Sequence, residues 1–177
     1  ESRAASEVLG GTDLRFLEFP DGGLAARLDD AAARLRAVID EVNPATILAP
    51  SPYEIHPDHR ASCLALAAAL DGSSCSPRLL LYEVGEMMPA NVLINTTDWF
   101  ARKCNALDRF ESQLGAHDLK GKMEALNRTR TVNCDDRAVT HCEAYLRVDP
   151  ARLAELLERA ERLLETTDQM MPPIPYE

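Results

Sequence analysis

The sequence predicts a layered α/β fold with a mainly parallel sheet, on three observations. Apolar runs of strand length alternate with helix-period patterns twice over between residues 14 and 82. Leu79, Leu80 and Leu81 form an unbroken apolar run, as a strand covered on both faces requires. His56 and His59 follow directly on another such run, Thr46-Ile47-Leu48-Ala49, where the carboxyl end of a strand is the place for a site in this class of fold. The 177 residues suffice for one domain with a sizeable core.

Each element has its own signal. Residues 2–9 read as a helix closed by Gly10-Gly11, and the absence of a start signal before Glu1 leads us to expect a preceding segment. Residues 14–19 read as a strand ending in the turn Pro20-Asp21-Gly22-Gly23. Residues 27–42 are helical in pattern, with Ala31, Leu35, Val38, Ile39 and Val42 on one buried face and Asn43-Pro44 as the stop. A short buried strand over 46–49 leads through the histidine loop to a helix over 58–70, with Asp58 placed as its cap. Residues 78–82 and 91–96 read as strands. Thr97 or Asp98 caps a helix over 99–114, another helix spans 119–131, and 140–148 is a late strand. After the cap and first-turn pair Asp149-Pro150, an amphipathic helix aligns Leu153, Leu156, Leu157, Ala160, Leu163 and Leu164. That face either packs on its own domain or seals a homo-oligomer. The tail from Met170, with prolines 172, 173 and 175, is expected to be extended.

Composition narrows the function. A formal net charge of −10 argues against a nucleic-acid partner, which calls for a basic surface. No apolar run approaches the roughly 18 residues of a membrane span, and no signal-like segment opens the chain, so the cytoplasm is the expected location. Five cysteines without C-x-x-C spacing read as reduced thiols, mostly buried.

The chemistry concentrates in Glu54-Ile55-His56-Pro57-Asp58-His59-Arg60. Two histidines at i and i+3 suit a zinc site, where imidazole nitrogens and carboxylates share the ion with a water. Pro57 pushes His56 out of the helix, so labour divides: His59 points at the metal and His56 faces the reacting group. The bland alternative is a surface loop whose histidines only cap and hydrogen-bond.

This run, continued to Ala61, resembles the second signature of the zinc-dependent N-acetylglucosamine de-N-acetylases, the PIG-L or LmbE-like family. Other stretches agree in order: residues 1–10, Phe19-Pro20-Asp21-Gly22, Tyr82-Glu83-Val84, Pro89-Ala90-Asn91-Val92-Leu93, Lys103 with Ala106-Leu107 and Ser112-Gln113, and Ala144-Tyr145-Leu146-Arg147-Val148. The resemblance implies a Rossmann-like three-layer domain over residues 1–148, with residues 149–177 added as a C-terminal helix and tail. It implies Zn2+ as cofactor, His59 as a metal ligand, and His56 as the residue that steadies the tetrahedral intermediate or protonates the leaving amine. Asp21 would face the sugar pocket and Asn91 border it, although each also reads as an ordinary turn or strand-start residue. At Glu54 some relatives carry an aromatic residue. The family takes two further ligands and its general base from an N-terminal His-Pro-Asp-Asp signature, which does not occur in this sequence. The expected activity is hydrolysis of an N-acetylated amino sugar or conjugate, releasing acetate. A catalytically silent sugar-binding or assembly protein of the same fold, and a different metal hydrolase, are the alternatives.

Overall fold

The computed structural model describes residues 1–11, 13–115 and 118–170, with side chains through residue 166. In chain order the elements are Ser2–Leu9 (α1), Leu28–Val42 (α2), Thr46–Pro50 (β1), Pro57–Leu70 (α3), Arg78–Tyr82 (β2), Val92–Asn95 (β3), Phe100–Leu107 (α4), Glu111–Leu114 (α5), Leu119–Thr129 (α6), Cys142–Val148 (β4) and Leu153–Met170 (α7). The four strands follow the order β1-β2-β4-β3. β1 and β2 are parallel, in register from Thr46 opposite Arg78 to Pro50 opposite Tyr82, with α3 as the crossover that a parallel pair needs. β4 runs antiparallel to β2, from Leu79 opposite Val148 to Tyr82 opposite Tyr145. The expected parallel character is thus seen in β1 with β2, while β4 departs from it.

The chain divides into two units, one of Leu17–Ala90 with Tyr145–Glu177, the other of Glu1–Phe16 with Asn91–Ala144. In the first unit, Leu79 and Leu81 of β2 meet Cys63, Leu66 and Ala69 of α3, Ile39 of α2, and Leu153 and Leu157 of α7. Leu79, Leu81 and Leu153 are each at most 1% exposed. Each such leucine contributes about 1.5–3 kcal/mol by leaving water. The small residues Ala61, Cys63, Ala65 and Ala69 leave α3 slim enough to be covered by both α2 and α7. The amphipathic α7 therefore packs within its own chain through its N-terminal half, while Leu163 is exposed. In the second unit, α1 packs along α4 and ends at Gly10, whose left-handed φ of 83° lets its N–H and that of Gly11 close on the last turn. Arg102 of α4 adds a bond from Nε to the Val8 carbonyl at 2.6 Å.

Five expectations are corrected. Residues 14–19 form no strand: Glu18 adopts a positive φ of 53°, which breaks an extended run. In place of a ladder, Arg34 donates from Nη1 to the Leu17 carbonyl at 2.9 Å, and the guanidinium groups of Arg34 and Arg3 cover the Phe19 and Phe16 rings. The helix expected over 99–114 divides into α4 and α5, because Phe110 leaves helical geometry at ψ 59°. Trp99, rather than Thr97 or Asp98, stands at the N-cap of α4, with Thr97–Trp99 forming a 3-10 turn ahead of it. Val42, assigned to the buried face of α2, is 51% exposed, since it is the last helical residue. All five cysteines are free, but only Cys63 and Cys142 are buried. No described helix is long and apolar enough to cross a membrane. His117 and the tail from residue 171 lie outside the described residues.

Candidate functional site

The site grows from the end of β1. The Ser51 N–H donates to the Tyr82 carbonyl at 2.9 Å, carrying the β1–β2 alignment one residue further, and Ser51 Oγ accepts from the Tyr53 N–H at 3.0 Å. This short turn directs Glu54 inward, where it is 1% exposed. A buried carboxylate needs partners. Glu54 accepts from the backbone N–H of Val84 at 2.7 Å and of Gly85 at 3.0 Å, and its Oε2 lies 3.3 Å from His59 Nδ1. Arg60 ties down the same turn by donating from Nη1 to the carbonyls of Glu54 at 2.8 Å and Ile55 at 3.1 Å. Burial, and then the negative charge of Glu54, hold the Tyr82 phenol above its ordinary range.

His56 is the N-cap of α3. Its backbone is extended, φ −65° and ψ 124°, as the following proline demands, and Pro57 occupies the first helical turn. Its Nδ1 accepts from the Asp58 N–H at 3.2 Å. The expectation that Asp58 caps this helix is therefore corrected, since the residue before the proline already has cap geometry. The Asp58 carboxylate reaches back instead, accepting from the N–H groups of Gly22 at 2.6 Å and Leu24 at 3.1 Å. It fastens the turn that carries the exposed Asp21 to the first turn of α3. The His56 and His59 rings lie 4.9 Å apart between centroids.

The two imidazoles are set up differently. His59 donates through Nδ1–H to a carboxylate that is already the acceptor of two amides, which leaves the Nε2 lone pair free. His56 accepts at Nδ1, so its proton sits on Nε2. One ring is poised as a ligand or base and the other as a donor. A carboxylate behind the remote nitrogen is the usual support of a metal-binding histidine. Among the described residues, however, no group of three or more His, Cys, Asp or Glu side chains is placed to hold an ion. The donor set fits one position of a zinc site and does not complete it.

The structure thus groups His56, His59 and the Asp21 turn within one unit. Asn91 is exposed and belongs to the other unit, one residue before β3. Sequence reasoning passed over Glu54 as an orienting residue. Its signal was present: an acidic residue within five positions of the histidine, on a loop that must turn inward after a buried strand. His141 stands apart in the other unit, stacked on Phe100 with centroids 3.7 Å apart.

Comparison with known proteins bears on this arrangement. The family described as GlcNAc-PI de-N-acetylase, PIG-L, matches residues 1–70, which include the whole His56–His59 loop. A probable N-acetyl-alpha-D-glucosaminyl L-malate deacetylase 2 of Bacillus cereus is 30% identical over 119 residues, 66% of this chain and 54% of that protein. The chain thus spans about half the length of that curated relative. Among solved structures, a conserved protein of Thermus thermophilus superposes with a TM-score of 0.72 at 23% identity, covering 82% of this chain and 70% of that one. The N,N'-diacetylchitobiose deacetylase of Pyrococcus horikoshii does so at 0.67 and 21%, covering 84% and 61%. At these identities the structures speak for the fold alone. The chain is similar to the PIG-L family over residues 1–70, the stretch that carries the histidine loop.

Proposed function

We propose that the protein takes part in zinc-dependent hydrolysis of the acetamide of an N-acetylated amino sugar or sugar conjugate, yielding the free amine and acetate. One observation carries the reading: His59 Nδ1 is engaged by the buried Glu54 carboxylate, leaving Nε2 available beside a second imidazole that carries its proton on the opposite nitrogen. The names of the relatives, deacetylases of N-acetylglucosaminyl malate and of diacetylchitobiose, support the choice of substrate class.

In this reading His59 would hold the ion in part, and Glu54 keeps its ring turned to do so. Bound zinc would supply Lewis-acid polarisation of the acetamide carbonyl. His56 donates from Nε2–H to the oxygen that gains charge, or to the leaving amine. Asp21, on the turn that Asp58 fastens to α3, contacts the sugar. We further read β1, α3 and β2 as part of a Rossmann-like three-layer arrangement, and the five free thiols as suited to the cytoplasm.

A second reading is a sugar-binding or assembly protein that keeps the fold without the metal. Zinc content and release of acetate from N-acetylglucosamine conjugates decide between them. The first reading expects zinc in the protein and loss of both zinc and activity in His59→Ala. Zinc retained undiminished in His59→Ala overturns the assignment of the ligand, and sugar binding without zinc or acetate release establishes the second reading.

A further inference from the structure

Outside the histidine site, the chain brings two thiols together. Cys134 Sγ lies 3.8 Å from Cys142 Sγ. We propose that Cys134 and Cys142 form a reversible intrachain disulfide by exchange with a small-molecule disulfide. The proposal is independent of the histidine site.

The two cysteines differ in access. Cys142 opens β4 and is 1% exposed, and burial, followed by its contact with Cys134, pushes its thiol up to about 11. Cys134 is half-buried, directly after the 3-10 turn Arg130–Asn133, with an extended backbone at φ −97° and ψ 121°. It sits at the head of an exposed loop whose bonds through Val139 are local, from the Ala138 N–H to Asp136 Oδ1 and from the Val139 N–H to the Asp136 carbonyl, and which is tied to Thr97 Oγ1 only from the Thr140 N–H onward, at 3.0 Å. The sulfurs must close from 3.8 Å to the roughly 2.05 Å of a disulfide. Cys134, on the loop, is the side that moves, because Cys142 is fixed between His141, whose N–H meets Thr97 Oγ1, and Glu143, whose carboxylate pairs with Lys103 Nζ at 2.5 Å.

Exposure sets the order of events. Cys134 loses its proton to solvent, and its thiolate attacks one sulfur of the incoming disulfide, forming a mixed disulfide and expelling one thiolate. Cys142 then loses its proton, and its thiolate attacks Cys134 Sγ. The mixed bond breaks, the Cys134–Cys142 bond forms and a second thiolate leaves. The chain gives up two electrons and two protons, and the small disulfide becomes two thiols. The product fastens the loop from residue 135 to residue 141 onto the start of β4.

The test is oxidised glutathione on the whole chain at pH 8, followed by alkylation and peptide mapping. Trypsin separates the two cysteines at Arg137, between peptides 131–137 and 138–147. We expect those peptides to be joined and two of the five free thiols to be lost, with recovery on reduction. In Cys142→Ser the reaction is expected to stop at a single glutathione on Cys134. Bonds between chains in place of the intrachain link, a persistent glutathione adduct on the unsubstituted protein, or both thiols remaining open to alkylation each overturn the proposal. The unsubstituted chain gives this result by itself, so the outcome does not depend on how the variant folds.

Discussion

Burying the Glu54 carboxylate to 1% exposure is tolerable only because two backbone amides and an imidazole N–H converge on it. The same convergence fixes which nitrogen His59 presents, so a residue with no place in the reaction controls one that we assign to the metal. Glu54→Gln keeps the shape but offers a single acceptor oxygen and an NH2 group, which cannot satisfy two amides and the imidazole N–H together. We expect zinc affinity, measured by competition with a chromophoric chelator, to fall by about 10–100-fold. Unchanged affinity would remove Glu54 from the site. Only half of this role was readable in the sequence, which shows an acidic residue five positions before His59 but not what holds it. The partners that define it, Val84 and Gly85, lie 30 and 31 positions away, and no local pattern records them. The exchange of parts between His56 and Asp58 was nearly readable, since Pro57 alone dictates the extended geometry of the residue before it.

At the level of elements, helices and buried strands announced themselves. The spacing over residues 27–42, the leucine run of β2 and the Asp149-Pro150 start were matched by α2, by β2 and by an Asp149 carboxylate accepting from the Ala151 N–H at 3.0 Å. Residues 14–19 failed for the complementary reason. Strand propensity expresses itself only beside a partner, and here arginine side chains took the carbonyl and the rings. The helix α7 allows a direct check of what its apolar stripe is for. Leu153→Ala, at 1% exposure, is expected to cost about 2–5 kcal/mol in urea unfolding. Leu163→Ala, at 56% exposure, should change stability by less than about 0.5 kcal/mol. A large cost at Leu163 that grows with protein concentration would show that the outer half of α7 seals a homo-oligomer.

The molecule as a whole carries a formal net charge of −10, and its response to pH includes one identifiable basic contributor. Burial, and then the nearby Arg128 cation, hold His141 below the 6.5 of a free imidazole, while Glu124 opposes and Lys103 adds to the effect. The unfolded chain therefore takes up this proton before the folded one as pH falls. The stability linked to neutral His141 is complete above about pH 6.5 and is lost as pH drops through the lower folded value. Melting temperatures measured from pH 8 to pH 5 should fall more steeply for the unsubstituted protein than for His141→Gln. Parallel curves would place the acid response elsewhere.

The two hydrogen bonds that Asp58 accepts from the Gly22 and Leu24 amides bear on any attempt to redesign specificity. Because one carboxylate joins the Asp21 turn to the helix that presents His59, the turn is not a detachable module. Under the proposed function, grafting a longer loop between Pro20 and Leu24 to admit a different sugar would move the histidines unless the graft returns two amides to the same oxygens. Specificity and chemistry would have to be engineered together.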